Sequence, residues 1–155
     1  MKDYAAASTV VMRAGRHYAK FTMEAFPTDD KTEPMFGVIR PAWDVEGGQN
    51  PHEADGHFFY DTASGCCCNN EIWQESWEGM QAAFEEGDCI GLLLDLDKGS
   101  LTVYKNDKRL GVMQTGLSGE YCWALSLYAS IYGARPSLRI EAAALPTEET
   151  KIAVD

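Results

Sequence analysis

The sequence predicts an all-β protein built as a sandwich of two antiparallel sheets. Apolar and polar residues alternate over short segments, turn-forming residues separate those segments, and no long stretch has the spacing of an amphipathic helix. The chain has 155 residues, of which 45% are hydrophobic, so it can bury one core and is too short for two full domains. We therefore expect one domain over residues 1–145, followed by a polar tail or linker over residues 146–155.

An early strand with one buried face is predicted over residues 17–24. Its core side consists of His17, Ala19, Phe21 and Met23. Polar or amphipathic residues alternate with these four, as the two-residue period of a strand requires. The next segment, Met35–Ile39, is apolar throughout, which predicts a strand covered on both faces.

An antiparallel meander is predicted between Cys89 and Met113. Cys89–Asp95 is a nearly continuous apolar run, and Ser100–Lys105 alternates between apolar and polar residues. Short connections at 97–100 and 106–108 contain Asp, Asn and Gly, which tolerate positive φ angles. These three strands are therefore expected to be joined by tight hairpins.

Two further strands are predicted near the end of the domain. Trp123 alternates with smaller residues over Cys122–Tyr128, so we expect its ring in the core. Leu138 and Ile140 alternate with charged residues in a last strand. Residues 77–86 could form at most a short helix, and the all-β assignment stands.

The charge of the chain is strongly negative and unevenly distributed. There are 13 Lys and Arg against 24 Asp and Glu, a formal net charge of −11, and residues 41–97 contain thirteen acids and no Lys or Arg. Nucleic acids bind through Lys and Arg that displace counterions, so we expect no nucleic-acid partner. The acidic stretch is either a solvated surface or a surface that attracts a basic partner.

The cysteine pattern and the hydropathy indicate a chain that works in the cytoplasm. Five cysteines are present, and Cys66–Cys68 are consecutive, a spacing that suits neither a disulfide framework nor a zinc site. No apolar run approaches the roughly 18 residues that a membrane span needs, and no apolar signal core follows Lys2. We therefore expect reduced cysteines, no metal, no cofactor and no membrane contact.

Four motifs, in order, resemble the SPRY domain family. GDCIGLLLDLDKGSLTVYKN at 87–106 is similar to the central strand and hairpin of the family, and GRHYAKF at 15–21 to an early strand. GVIRP at 37–41 and the glycine-containing pieces within 110–119 complete the set, so the resemblance covers about Val11–Ala142. The resemblance implies a bent, concanavalin-like jelly-roll sandwich that acts as a protein-interaction module and not as an enzyme.

The resemblance also implies a ligand surface formed by loops at one end of the sandwich. Ile131, Tyr132 and Gly133 correspond to a short V-W-G element of the family, and Trp43–Gly56 to its long loop after the G-V strand. Loop aromatics flanked by Gly and Pro are common binding anchors. The candidate ligand-binding residues are Tyr132, Ile131, Gly133, Trp43, Arg40, Asp44 and Arg135.

Two other functions remain as alternatives. A sugar-binding or carboxylate-pair hydrolase site would need a groove in which Glu71 and Glu75 lie beside Trp73 and Trp77. The three histidines are scattered and lie in no nucleophile motif, so we expect no catalytic residue.

The carboxylate pair Asp95 and Asp97 could also suggest a metal site. We instead expect Asp97 to accept backbone N–H bonds in its hairpin turn. The first expectation for function is thus a monomeric adaptor domain of a larger protein, which binds a protein or peptide that can be basic.

Overall fold

The computed structural model describes residues 2–25, 33–41, 56–69, 72–74, 76–83, 87–129 and 137–146. These residues form eleven β-strands and no helix, so they contain no helix that could cross a membrane. The strands are β1 (Lys2–Ala7), β2 (Arg16–Ala25), β3 (Glu33–Ile39), β4 (Phe58–Asp61), β5 (Cys67–Asn69), β6 (Ile72–Gln74), β7 (Cys89–Asp95), β8 (Ser100–Lys105), β9 (Lys108–Gln114), β10 (Cys122–Ala129) and β11 (Ser137–Ala142).

The strands form two antiparallel sheets. A six-stranded sheet has the order β1-β10-β3-β4-β5-β6, and a five-stranded sheet has the order β11-β2-β7-β8-β9. The consecutive strands β7, β8 and β9 are neighbours, so the predicted meander is confirmed. The all-β sandwich predicted from the alternation is confirmed as well.

The main core lies between the two sheets and contains several aromatic rings. Phe21 of β2 stacks on Phe36 of β3 with ring centroids 4.9 Å apart, and meets Trp123 of β10 edge to face at 6.0 Å. All three are buried, as are Ile90, Leu92 and Leu94 of β7. The predicted core position of Trp123 is therefore confirmed.

A second apolar layer lies on the outer face of the six-stranded sheet. Its buried members are Met35, Ile39, Phe59, Cys68, Cys122 and Ala124. β3 thus sends alternate residues into two apolar layers, which is why Met35–Ile39 is apolar throughout. β5 does the same with neighbouring cysteines, since Cys67 belongs to the main core and Cys68 to the outer layer.

The outer face of the five-stranded sheet buries a tyrosine that the alternation places on the polar side of β2. Tyr18 is 6% exposed, lies over Gly91 of β7, and meets Tyr104 of β8 edge to face at 5.4 Å. A Cβ at residue 91 would collide with the Tyr18 ring, so the glycine creates the space for it. Burial raises the pKa of the Tyr18 phenol.

The strand register defines two opposite ends of the sandwich. At one end β10 finishes at Ala129 and β11 starts at Ser137, and we call this the Ser137 end. At the other end β3 finishes at Ile39, which pairs with Cys122, and Arg40 follows directly; we call this the Arg40 end. Six or seven residues of strand separate the ends, a distance of about 20 Å at 3.3 Å per residue.

Candidate interaction surface

The segment that contains Tyr132 leaves the sandwich at the Ser137 end. Residues 130–136 join β10 to β11, and residues 26–32 join β2 to β3 at the same end, because Ala25 pairs with Ser137 and Glu33 with Tyr128. Four candidate residues, Tyr132, Ile131, Gly133 and Arg135, lie in the first segment and outside the described residues. The structure therefore fixes the strands that flank these residues.

Tight turns support the sandwich near the Ser137 end. Asn106 and Asp107 have φ angles of 51° and 68°, the left-handed conformation that a type I′ hairpin requires at both central positions. The Asn106 side chain accepts the Cys89 N–H at 2.9 Å and donates to the Asp88 carboxylate at 3.1 Å. In the turn after β4, the Asp61 carboxylate accepts the Ser64 hydroxyl at 2.6 Å. The Asp61 side chain thus caps its own turn and the Asn106 side chain ties its turn to the start of β7, which gives this end a firm framework.

Arg40 is held by the chain itself at the opposite end. Its Nη1 donates to the carbonyl oxygens of Ser118 at 2.7 Å and Glu120 at 3.1 Å. The guanidinium also lies over the Tyr121 ring, 4.2 Å from the centroid, a cation–π arrangement. Gly119 contributes to the fit, since a Cβ there would come within 2.7 Å of Nη1. The guanidinium thus anchors residues 118–121 to the end of β3.

The segments that contain the candidate residues leave the strands at two different ends of the sandwich. Trp43 and Asp44 lie outside the described residues, but the segment that carries them begins after Pro41 and returns at Gly56, both at the Arg40 end. Gly56 packs on the Arg40 side chain, where a Cβ would lie 2.8 Å from Nε. The structure therefore brings Arg40 to the base of the Trp43 segment and about 20 Å from the strand ends that flank Tyr132.

The carboxylates near the first hairpin cap backbone groups. Asp95 is 6% exposed, and its Oδ1 accepts the N–H groups of Asp97 and Lys98, both at 3.0 Å. Asp97 instead accepts the Gly15 N–H at 3.3 Å, from the segment before β2. The expectation that Asp97 caps its own turn was therefore wrong, because the residue at the start of the turn is the one placed to receive both N–H groups. In the described part of the chain, no three His, Cys, Asp or Glu residues gather as metal ligands would.

Trp77 of the alternative sugar-binding groove has a structural role. It is 9% exposed, its indole N–H donates to the Gly65 carbonyl at 2.7 Å, and its ring meets Tyr60 edge to face at 6.4 Å. Glu71 and Glu75 lie outside the described residues. A buried ring with its one donor satisfied is not offered to a sugar face, so nothing in the described residues favours that alternative.

The five cysteines are all free thiols in the structure. Cys67, Cys68 and Cys122 are buried, and Cys66 and Cys89 are partly buried. Burial raises the pKa of the Cys67 thiol to about 12, with smaller contributions from the neighbouring cysteines. Such a thiol is protonated at neutral pH and is a weak nucleophile, which agrees with a packing role for Cys67.

One concave surface was missed by the sequence analysis. It lies between the edge strands β1 and β11, where Ala6 and Ala142 are among the lining residues. Alanines at the edge of each sheet are the only sequence signal for it. That signal has meaning only once β1 and β11 are known to line the same groove, which alternation within a single strand cannot reveal.

Comparison with known proteins agrees with this architecture. The sequence model of the SPRY domain family matches residues 16–138, which is more than half of the chain. The crystal structure of the SPRY domain of human HERC1 superposes with a TM-score of 0.67 at 16% sequence identity, covering 93% of this chain and 84% of that chain. A second crystal structure, of a human SPRY domain, gives a TM-score of 0.61 at 14% identity, covering 88% of this chain and 82% of that one.

A comparison with curated protein sequences finds no match. At such low identity the solved structures establish the fold alone, and the family model establishes the family. The four ordered motifs, the two antiparallel sheets and the family match agree, and the chain belongs to the SPRY domain family.

Proposed function

We propose that this domain binds a peptide segment or a folded protein partner through residues 130–136 at the Ser137 end. SPRY domains are in general protein-interaction modules, which sets the broad class. The observation that carries the finer proposal is the register of β10 and β11, because two well-paired strands flank a segment that contains Tyr132, Gly133 and Pro136.

Tyr132 is the proposed anchor of this contact. Tyrosine gives a large, rigid contact area with a polar tip and is enriched among the residues that carry most binding energy. Ile131 can add an apolar contact on one side of Tyr132, and Arg135 can bind a carboxylate of the partner on the other side. Arg40 has a different role, because its guanidinium is already engaged by two backbone carbonyls and the Tyr121 ring.

The proposed setting is a monomeric, non-enzymatic adaptor domain in a cytoplasmic protein. The free thiols support a reducing compartment. The net charge of −11 supports a partner segment with basic residues, which would approach a negative surface faster than a neutral one.

Peptides selected from a phage-displayed library against the wild-type domain provide the probe for the test. Tyr132→Ala should weaken the binding of peptides that use this end about thirtyfold, since truncating a central interface aromatic typically costs about 2 kcal/mol or more. The melting temperature should change little, because substituting a contact residue that is not part of the core usually alters stability by about 0.5 kcal/mol or less.

Trp43→Ala is the matched control, since it removes a large aromatic from a segment based at the Arg40 end. We expect it to leave those peptides bound with wild-type affinity. If Tyr132→Ala stays folded and binds every selected peptide normally while Trp43→Ala does not, the ligand surface lies at the Arg40 end and the proposal is wrong.

A further inference from the structure

A groove of about 610 Å³ is lined by residues of both sheets, among them residues of the edge strands β1 and β11. Its volume falls within the roughly 300–1,000 Å³ typical of ligand sites. The groove is near the Arg40 end, since it reaches Trp123 at the start of β10 and His17 at the start of β2. It is therefore separate from residues 130–136, which leave the opposite end.

Small side chains on both edge strands explain the groove. Ala6 pairs with Leu125, whose side chain packs on the main core, so Ala6 faces the gap between the sheets. Ala142 pairs with the fully buried Ala19 and faces the same gap from the other sheet. Larger residues at these two positions would close the sandwich, whereas alanines leave an opening lined by Trp123.

The rim of the groove exposes apolar side chains. Val10 is 67% exposed and Leu145 is 40% exposed, and both line the groove. Among the described residues only three large hydrophobic side chains are exposed, and Ile72 on β6, at 68%, is the third. Two exposed apolar residues at one concave surface indicate a binding site more strongly than isolated ones do.

Arg16 gives the groove a cationic group in a chain whose net charge is −11. Arg16 and His17 line it, and no Asp or Glu is among its described lining residues. Arg16 is exposed and forms no ion pair with any other described residue. The His17 Nε2 lies 2.8 Å from the Ala14 carbonyl oxygen and donates to it, which orients the imidazole. The local charge therefore complements a carboxylate.

Both strands that border the groove have a free edge in the described part of the chain. β1 pairs only with β10, and β11 pairs only with β2. A free edge offers unpaired N–H and C=O groups to an extended segment, and every second side chain of that segment would then point toward the gap.

We propose that this groove binds an extended peptide segment that carries alternating apolar side chains and an acidic residue. The apolar side chains enter between Ala6 and Ala142 and contact Val10 and Leu145, the backbone pairs with a free strand edge, and the carboxylate reaches Arg16. This site is additional to the one proposed at the Ser137 end, and the two can fail independently.

Peptides from the same phage-displayed selection test the inference when the affinity of each peptide for the wild-type domain is compared with its affinity for each variant. Val10→Ser/Leu145→Ser should weaken the groove peptides tenfold or more, because the double variant removes the apolar rim. The variant should fold normally, since both side chains are exposed in the wild type. Ile72→Ser is the matched control at nearly the same exposure, and should change nothing.

The proposed contact between Arg16 and the acidic residue of the bound peptide has its own test. Arg16→Gln should weaken the selected peptides about three- to tenfold, and the same peptides with their Asp or Glu replaced by the amide should bind wild type and Arg16→Gln equally. Tyr132→Ala should leave the groove peptides unaffected.

Four outcomes would overturn the inference. The first two are that no peptide loses affinity in the double variant, or that the peptides which lose affinity have no acidic residue. The third is that peptides bind only after residues 147–155 are removed, which would mean that the chain covers its own groove. The fourth is that the double variant abolishes a self-association seen in sedimentation, which would mean that a second copy is the occupant. A peptide lost in Tyr132→Ala but kept in the double variant belongs to the Ser137 end and does not support the groove.

Discussion

Arg40 joins segments of the domain that are far apart in sequence. Its guanidinium reaches the carbonyls of Ser118 and Glu120 and covers the Tyr121 ring, while its stem packs beside Gly56. Hydrogen bonds from a charged donor contribute more than neutral ones, and a planar guanidinium can meet two carbonyls and a ring at once. The residue thus stabilises the Arg40 end of the sandwich.

Arg40→Lys is expected to lower the free energy of unfolding by about 1.5–3 kcal/mol, because an ammonium group cannot serve both carbonyls while it stacks on Tyr121. Urea denaturation measures the change. Arg109→Lys is the control, since Arg109 forms an exposed ion pair with Glu78 at 2.9 Å and such pairs are worth about 0–1 kcal/mol. Equal and small effects of both substitutions would contradict the role assigned to Arg40.

Single residues also show where alternation stops being informative. The pattern correctly placed Phe21 and Trp123 in the core, because each lies on the apolar side of its strand. It placed Tyr18 on the polar side, where the missing side chain of Gly91 on a neighbouring strand lets the ring be buried. It also could not distinguish Asp95 from Asp97 as the turn cap, since both lie on the same side of an ideal strand and only the turn geometry separates them.

At the level of elements, strands whose own residues alternate or are apolar throughout were predictable, and strands without such a pattern were not. β7, β8 and β9 are joined by short turns that the Asp, Asn and Gly residues predict, and the structure confirms the three strands. β1 has the sequence KDYAAA, which shows no clear alternation and becomes a strand by pairing with β10. The sequence predicted which residue types the candidate site contains. Only the register of β3 with β10 shows that the Arg40 and Tyr132 segments leave opposite ends of the sandwich.

We expect buried groups on β4 and β5 to contribute to a loss of stability under alkaline conditions. Burial raises the pKa of the Cys67 thiol from 9.0 to about 12, and burial also raises the pKa of the Tyr60 phenol above its ordinary value of 10.0. Both groups are neutral in the folded state, and each ionises more easily once the chain unfolds. The stability that depends on keeping them neutral is therefore fully present below about pH 9 and is lost as the pH rises toward 12.

The free energy of unfolding measured by urea denaturation should thus be constant from pH 7 to about pH 9 and fall above it, by up to about 1.4 kcal/mol per pH unit for each group that ionises only on unfolding. Cys67→Ala is expected to start from a lower stability, because it leaves a small cavity, but to lose less as the pH rises. A free energy of unfolding that stays constant to pH 11, or an equally steep decline in Cys67→Ala, would rule out this thiol as the cause.

At the scale of the whole molecule, the acidic stretch of residues 41–97 is not one uniform solvated surface. Asp61, Asp88 and Asp95 are 4%, 8% and 6% exposed. Asp61 and Asp95 accept hydrogen bonds within their own turns, and Asp88 accepts one from the Asn106 side chain. Part of the negative charge is therefore needed by the fold itself. The remaining acids contribute to the long-range field that an approaching partner meets.

Association with a basic peptide of the Ser137 end should slow several-fold between low and physiological salt, while dissociation changes little, because screening acts mainly on the approach. Stopped-flow fluorescence at graded ionic strength measures both rates. An acidic peptide of the groove should respond differently, since the net charge repels it and added salt relieves that repulsion. Salt-independent association of the basic peptide would mean that the acidic surface serves solvation only.

The pairing of β1 with β10 also has a consequence for how the domain is made. Ala7 pairs with Ala124, so β1 leaves the ribosome about 120 residues before its partner strand. At roughly 5–20 residues per second, β1 waits about 6–24 s without the neighbour that makes it a strand. A β1 rich in valine or isoleucine would spend that time as an unprotected aggregation segment, whereas Lys2, Asp3 and three alanines give it little to aggregate with. The small side chains that open the groove in the finished domain thus also protect the nascent chain.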